Sequence, residues 1–395
     1  MTVSIEAADS TGGPALRRLL PMTATVFLGL MTMGIPLSVL PLQLHHALGF
    51  DMVTVGWVMG VESAATLLTR RFAGRTTDRR GPKTAMLIGL VASALSGAAY
   101  LLALLPGLTP GAALAVLVLG RVAMGVGESL VFTAGSAWPI GMLGMAQAGK
   151  ALSWVGIAMF GGIAAGTALG SVLQQGFGFA AAALAALLVP LVGLTIALGV
   201  PAVRLAAQPG ALPFRRILGL ILPSGAGFTL AMVGFAAIGS FLVLAYDFRG
   251  WAGGGVALTL FGAGFVAARV LFGGRSDRAR GPGMAVATLV VEAAGLLLLA
   301  WMPGPWAGMA GAAVTGFGLS MVYPLLALPA IRRVPAGDLG TAIGTYDAGA
   351  DIAIMIGTPV CGALAAGFGF QAVFLFAAAA AGLATVLAVA AYRGR

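Results

Sequence analysis

The sequence predicts an all-α membrane protein with twelve transmembrane helices in two pseudo-symmetric six-helix halves, and three observations predict it. Of 395 residues, 59% are hydrophobic and only 9% are charged, whereas soluble domains carry about 45 to 50% and about 25%. The mean hydropathy is +1.02. Apolar stretches of about 20 residues, long enough to cross a bilayer as a helix, recur twelve times along the chain, and the first half returns in weaker form in the second. A bilayer penalises unpaired charge and rewards continuous apolar runs, so a soluble fold is excluded.

Helix 1 is expected near 19–44. It is too long for a signal-peptide core, and the first ten residues carry Glu6 and Asp9 rather than a basic leader, so it reads as a permanent anchor. Helix 2 (53–72) runs into a basic loop, and helices 3 and 4 follow at 84–105 and 111–137. Helix 5 (151–173) holds Gly162, Gly166 and Gly170, four apart, which form a smooth ridge for another helix. Helix 6 (178–200) closes an N-terminal half at 1–200, and a stretch at 201–216 containing Arg and Pro links it to a C-terminal half at 217–395. Helices 7 to 12 fall at 217–245, 252–272, 283–303, 306–331, 340–366 and 370–392. Twenty of the 22 Lys and Arg residues, Arg70 and Arg269 among them, lie in alternate loops or helix ends on one side. Arg249 falls on the other side and Arg121 lies inside a helix. The positive-inside rule then places both termini in the cytoplasm of a multi-pass membrane protein. The net charge of +10 is an orientation signal, and no nucleic acid is expected as a partner.

The repeat is explicit. Arg70, Gly74, Thr77-Asp78-Arg79 and Gly81-Pro82 are answered by Arg269, Gly273, Ser276-Asp277-Arg278 and Gly281-Pro282, at an offset of 199 that becomes 200 at the last pair. Further along the offset is 191. Gly125-Val126-Gly127 is answered by Gly316-Phe317-Gly318, and Gly176 to Phe179 by Gly367 to Phe370. Parallel repeats of this kind belong to transporters whose halves rock about a site at mid-membrane.

The loop from Gly74 to Lys83 resembles the signature loop between helices 2 and 3 of the major facilitator superfamily, G-x-x-x-D-[RK]-x-G-[RK]-[RK], with Pro82 as a departure. The resemblance covers the whole chain and implies a gating motif of Gly74, Asp78, Arg79, Gly81 and Lys83, with Asp277 in the degenerate copy. It also implies that Asp78 latches helix 3 against the start of helix 11, where a helix dipole favours negative charge. The segment from Arg121 to Gly127 resembles the helix 4 motif of proton-coupled drug exporters. Ile35 to Pro41, Ser153-Trp154 and Tyr246-Asp247 with Gly250-Trp251 are similar to the arabinose-efflux-like bacterial group of the YhhS/YfcJ type. The antiporter motif departs from the pattern, because Thr167 stands where helix 5 of exporters has proline and Gly357-Thr358-Pro359 appears in helix 11 instead. Tight packing and a direction-determining role are both open readings of the helix 5 glycines.

Ionisable groups inside the bilayer are expensive and need a reason. They are Glu62, Arg121, Glu128, Glu292, Asp347 and Asp351. At about 1.5 Å per residue, Glu62, Arg121 and Asp351 all reach mid-membrane. Helices 2 and 4 are neighbours in the resembled fold, and helices 2 and 11 meet across the halves, so these three are expected to converge. Glu128 follows Arg121 by two turns on nearly the same face, and Asp347 and Asp351 share a face four residues apart. Glu62 and Asp351 are the leading proton sites, with Arg121, Glu128 and Asp347 beside them. A structural neutraliser is the other reading of Arg121. Ala312 and Leu319 occupy the second-half places of Arg121 and Glu128. Glu292 reads as a packing or interhelical hydrogen-bond residue. His45 and His46 read as solvated residues at the outer mouth, with a pH-sensing gate as the alternative. Trp154, Tyr323 and Tyr346 are candidates for a substrate cavity, and Tyr246 and Trp251 for that cavity or for interfacial anchors.

Nucleotide loops, nucleophile elbows and His/Cys metal spacings are lacking, and the single Cys361 forms no internal disulfide. The expectation is a non-enzymatic secondary transporter without cofactor, driven by the proton gradient, monomeric, and exporting a small organic solute. A proton symporter importing a sugar or organic acid is the alternative, and a membrane sensor or lipid scramblase is the reading from another class. An amphipathic drug, a sugar and an amino-acid-derived metallophore all remain candidate solutes.

Overall fold

The computed structural model describes residues 13–143, 148–203, 212–276, 282–331, 333–335 and 338–393. Among these, twelve helices are long and apolar enough to cross a membrane, and there are no strands. They are α1 (Gly13–Leu42), α2 (Met52–Arg80), α3 (Pro82–Leu102), α4 (Pro110–Leu143), α5 (Ala148–Phe177), α6 (Phe179–Gly199), α7 (Phe214–Phe248), α8 (Gly254–Ser276), α9 (Gly283–Trp301), α10 (Pro305–Ile331), α11 (Leu339–Phe368) and α12 (Phe370–Arg393). A π-helical turn, Gln43–Ala47, continues α1.

The largest departure from the expected boundaries is at α2, which runs to Arg80 rather than ending near 72. Its polar last turns stay helical because Ala73, Thr76 and Thr77 remain buried against the bundle. Gly81 ends it with φ at 88°, a conformation that suits glycine, and Pro82 begins α3 at the position where its missing N–H costs nothing. At the other end, Asp51 caps α2 by accepting from the Thr54 N–H at 2.8 Å, and hydrogen bonding to Thr54, through its side chain first and its N–H second, holds the carboxyl below the ordinary carboxylate range.

Packing repeats with the sequence. In the first six helices α1 packs on α5 and α6, α3 on α4 and α6, and α2 on α4. In the last six α7 packs on α11 and α12, α9 on α10 and α12, and α8 on α10. The same backbone approach recurs at equivalent places: a Cβ on Gly125 would lie 2.2 Å from the Glu62 carbonyl, and one on Gly316 would lie 1.9 Å from the Phe261 carbonyl. The ridge of α5 is buried on α1, where Cβ atoms on Gly162, Gly166 and Gly170 would lie 2.4, 2.1 and 2.6 Å from the carbonyls of Phe27, Met31 and Ile35.

Two pairings dominate the contact between the sets, α2 with α11 and α5 with α8. Both are closest at the end carrying the π-helical turn. There, Cβ atoms on Gly56, Gly362 and Gly262 would fall 2.4 to 2.5 Å from Thr358, Met52 and Ala164. Toward the basic end, Cβ atoms on Gly74, Gly340 and Gly344 would meet nothing within 4 Å. The sets therefore diverge at the end where Arg75, Arg79 and Arg80 lie.

Candidate functional site

Arg121 of α4 and Glu62 of α2 form an ion pair through Nη1 and Oε2, with the residues 2% and 1% exposed. Arg121 Nη2 also donates to the Met59 carbonyl at 2.9 Å, and the buried Tyr100 hydroxyl faces the same guanidinium. A charge so far from water persists only with a partner, and each supplies the other.

Asp351 joins neither of them. Its carboxylate is held by Arg70 of α2, through a contact with Nε and a second bond from Nη2 at 3.0 Å. This planar fork on two oxygens ties α2 to α11 across the two sets of helices. Arg70 Nη2 lies 3.3 Å from the Asp347 carbonyl, its Nη1 lies 3.9 Å from the Asp347 carboxylate, and the Tyr323 hydroxyl donates to that carboxylate at 2.7 Å. The expected convergence of Glu62, Arg121 and Asp351 is thus replaced by two separate pairs. The reason is helix length: α2 continues well past Arg70, which places that side chain at the depth of Asp351 instead of at a helix end.

Glu128 is half-buried on α4, with its Oε2 2.8 Å from Thr66 Oγ1. The same hydroxyl lies 3.0 Å from the Glu62 carbonyl and 3.1 Å from the Gly125 carbonyl. Among the described residues no Lys, Arg or His lies within ion-pair distance of Glu128.

Arg269 of α8 is a residue that sequence reasoning missed as a site residue, as it did Arg70. In the sequence both count only as orienting charges. The Arg269 guanidinium lies between α5 and α8, 5.9 Å from the Phe160 ring centroid and 5.6 Å from that of Phe265. The repeat alignment, which pairs it with Arg70, was the signal that could have found both.

The remaining expected residues are dispersed. Asp78 and Arg79 are exposed in the last turn of α2, and no latch from Asp78 to α11 is formed among the described residues. Gly81 makes the turn into α3. Lys83 donates to the Leu198 and Val200 carbonyls, each at 2.7 Å, and so caps the end of α6. Asp277 lies outside the described residues. Tyr323 reaches the site through Asp347, and Trp154 is 41% exposed. Tyr346 lines no opening: it is fully buried and stacked on Phe228 at 4.7 Å. Glu292 is buried with no hydrogen-bond partner among the described residues, so the expected interhelical bond is not seen. His46 Nε2 lies 2.6 Å from Asp247 and joins the end of α1 to the end of α7, while His45 Nδ1 lies 2.8 Å from the Phe50 carbonyl. Tyr246 is buried, its hydroxyl donating to the Pro305 carbonyl at 2.5 Å, and Trp251 packs edge-on against it.

Comparison with known proteins agrees with this architecture. The family model of the Major Facilitator Superfamily matches residues 22–255 and 224–395. An uncharacterized MFS-type transporter of Pseudomonas aeruginosa (strain UCBPP-PA14) is 40% identical over 390 residues, 98% of this chain and 96% of that protein. YhhS, an uncharacterized MFS-type transporter of Escherichia coli (strain K12), is 37% identical over 361 residues, 91% of this chain and 89% of that protein. Among solved structures, the human organic anion transporter MFSD10 superposes with a TM-score of 0.72 at 19% identity, covering 95% of this chain and 99% of that one. A variant of the nucleoside transporter NupG superposes with a TM-score of 0.73 at 15% identity, with the same coverage.

Proposed function

Because the chain belongs to the major facilitator superfamily, we propose that it is a proton-coupled secondary transporter of the bacterial inner membrane that exports a small organic solute in exchange for protons. The observation that carries the coupling is the surroundings of Glu128. The Thr66 hydroxyl has one hydrogen and three acceptors within 3.1 Å, counting the Glu128 carboxyl. A Glu128 that holds its own proton donates it to Thr66 Oγ1 and frees the hydroxyl to donate to a carbonyl, which removes the competition of the carboxylate for the one hydroxyl hydrogen. Glu62 and Asp351 meanwhile stay ionised against Arg121 and Arg70.

Arg70 is within electrostatic range of Asp351, Asp347 and Glu128 together. In the proposed cycle it is passed between them. In the state described it holds Asp351 while Glu128 keeps a proton taken up from outside; when Arg70 then turns to Glu128 that proton leaves to the cytoplasm, and Arg70 returns to Asp351 once the site has opened outward, so each turn carries one proton inward. One cation shared by two acids makes the proton site depend on which end is open. With the basic face in the cytoplasm, the described state opens inward and the latch at Asp78 forms in the other state.

The test is solute-dependent proton flux in inverted vesicles. Glu128→Gln is expected to keep downhill solute exchange and to lose the response to a pH gradient. Wild-type proton stoichiometry in Glu128→Gln would overturn the assignment, and solute moving with protons instead of against them would replace export by symport. Orientation is tested by single cysteines in a background with Cys361 replaced. Leu105→Cys and Ala252→Cys are expected to react with an impermeant reagent outside intact cells, and Arg80→Cys is not.

A further inference from the structure

We propose that Arg269 is the counter-charge for an anionic group on the transported solute, so that the site takes small organic anions bearing a carboxylate or phosphonate on an apolar or aromatic body. The proposal rests on the transport reading above and names its substrate class. The observation behind it is a difference between two equivalent places. The repeat relates Arg70 to Arg269 at an offset of 199, and at an offset of 191 it relates Gly156 to Asp347 and Phe160 to Asp351. The structure keeps those relations in space. Arg70 faces Asp347 and Asp351, while Arg269 lies over the Phe160 ring, with Nη1 3.2 Å from where a Cβ on Gly156 would stand. One arginine has its two carboxylates; its mate has a ring and a hydrogen atom in their place.

Arg269 Nε is buried without a hydrogen-bond partner, and no acid pairs with the side chain among the described residues. A guanidinium within a membrane helix needs a counter-charge, and its planar fork fits two oxygens of one group. Aromatic faces supply part of that need, since the stacked pair of Phe160 and Phe265, 3.7 Å apart, lies beside the cation. They leave its donors free. Arg269 is also part of the central site, because the Tyr323 hydroxyl that binds Asp347 is within electrostatic range of both Arg269 and Arg70. A solute oxyanion between Arg269 and the opening takes the place that Asp351 fills for Arg70, and its apolar body lies against Phe160. A cationic solute is repelled there, and a neutral one leaves the charge unanswered.

The test uses four probes with one ring and different charge: benzoate, phenylphosphonate, benzylamine and benzyl alcohol. Each is added at millimolar concentration to the purified full-length protein in neutral detergent, and the thermal midpoint reports binding. The two anions are expected to raise the midpoint and the other two are not. Arg269→Gln is expected to lower apparent anion affinity at least tenfold. Gly156→Asp places a carboxylate against Nη1, rebuilds the pairing of the other half, and is expected to fold and to lose anion binding equally. Gly156→Asn, of the same size without the charge, should stay within about a factor of two of wild type. Failure of both anions to stabilise the wild type, stabilisation by benzylamine instead, or undiminished anion binding in folded Gly156→Asp would each overturn the proposal. Anion binding that needs Arg269 without any coupled flux in liposomes would sink the transport reading alone. Coupled flux of an uncharged solute that survives Arg269→Gln would sink the charge assignment alone.

Discussion

The contact of α2 with α11 and the contact of α5 with α8 are related by the repeat, yet the first is joined by ion pairs and the second by stacked rings. The same contrast holds one layer deeper. Glu62 and Arg121 meet where α2 crosses α4, and Phe261 and Ala312 stand at the equivalent crossing of α8 and α10. The backbone approach is common to both, since Gly125 and Gly316 each admit the facing carbonyl. Backbone geometry is therefore carried by small residues and is indifferent to charge, which leaves the polar side chains free to specialise. The proposed division puts proton handling in α2, α4 and α11, and solute charge on α8.

The sharpest way to break this comparison is to remove one member of the deeper pair. Arg121→Gln leaves Glu62 buried without a counter-charge and is expected to cost about 3 to 5 kcal/mol in denaturant unfolding. Replacing both, Glu62→Leu with Arg121→Met, should recover most of that loss, because the other half already packs this crossing with apolar side chains. Coupled transport should not return. If the double variant is as unstable as the single, the two crossings are not alternatives on one scaffold.

At the outer layer the expected effects are smaller. Asp351→Asn should destabilise by about 1 to 3 kcal/mol, softened by the nearby Asp347 carboxylate, and should stop coupled flux. Phe160→Leu, at the equivalent place, should cost about 0.5 to 1.5 kcal/mol from the lost ring pair and weaken solute binding while keeping the number of protons moved per solute. Equal losses of coupling in both would erase the proposed division of labour.

The sequence made the twelve helices and the repeat legible, since each rests on hydropathy or on helix geometry, and it left Arg121 between Glu62 and Glu128 as partners. What it hid was the extent of α2. A hydropathy window ends where polar residues begin, but that helix continues for as long as one face stays buried, and Thr76 and Thr77 are buried. With α2 cut short, Arg70 read as a helix-end charge, and Asp351 was assigned to the wrong partner. Arg269 was hidden in the same way. Thr66 beside Glu128 had no sequence signal, because a hydroxyl one turn from an acid is ordinary in any helix.

Two weaker predictions separate the loop residues from the core. Lys83→Ala removes both bonds to the end of α6 and should lower stability by about 1 kcal/mol. Asp78→Asn should leave the stability of this conformer unchanged, since the side chain is exposed, and should slow transport. A stability loss for Asp78→Asn matching that of Lys83→Ala would place the latch in this state after all. The smallest effect is expected at Asp51. Asp51→Ala should cost about 1 kcal/mol or less, and the difference should depend on pH. The folded carboxyl lies below its unfolded value of about 3.9, so its contribution is present above that value and is lost as pH falls through the lower folded one. Thermal midpoints of the two proteins across the acid range check this.

The glycine ridge of α5 bears on which part of the machine can move. Its three glycines mesh with the α1 backbone, and the repeat puts Ala353, Gly357 and Cys361 at the same places on α11. Against α7 the α11 surface is looser at the middle of these three places, for a Cβ on Gly357 would meet only the Ala236 methyl, at 3.4 Å, although one on Gly349 would lie 2.5 Å from Thr229 Oγ1. Keyed to its shaft, α5 turns with α1 or not at all, whereas α11 has play in its seat. The helix with this local room is the one bearing both aspartates, so a shift of Arg70 onto or off them acts where the seat can yield.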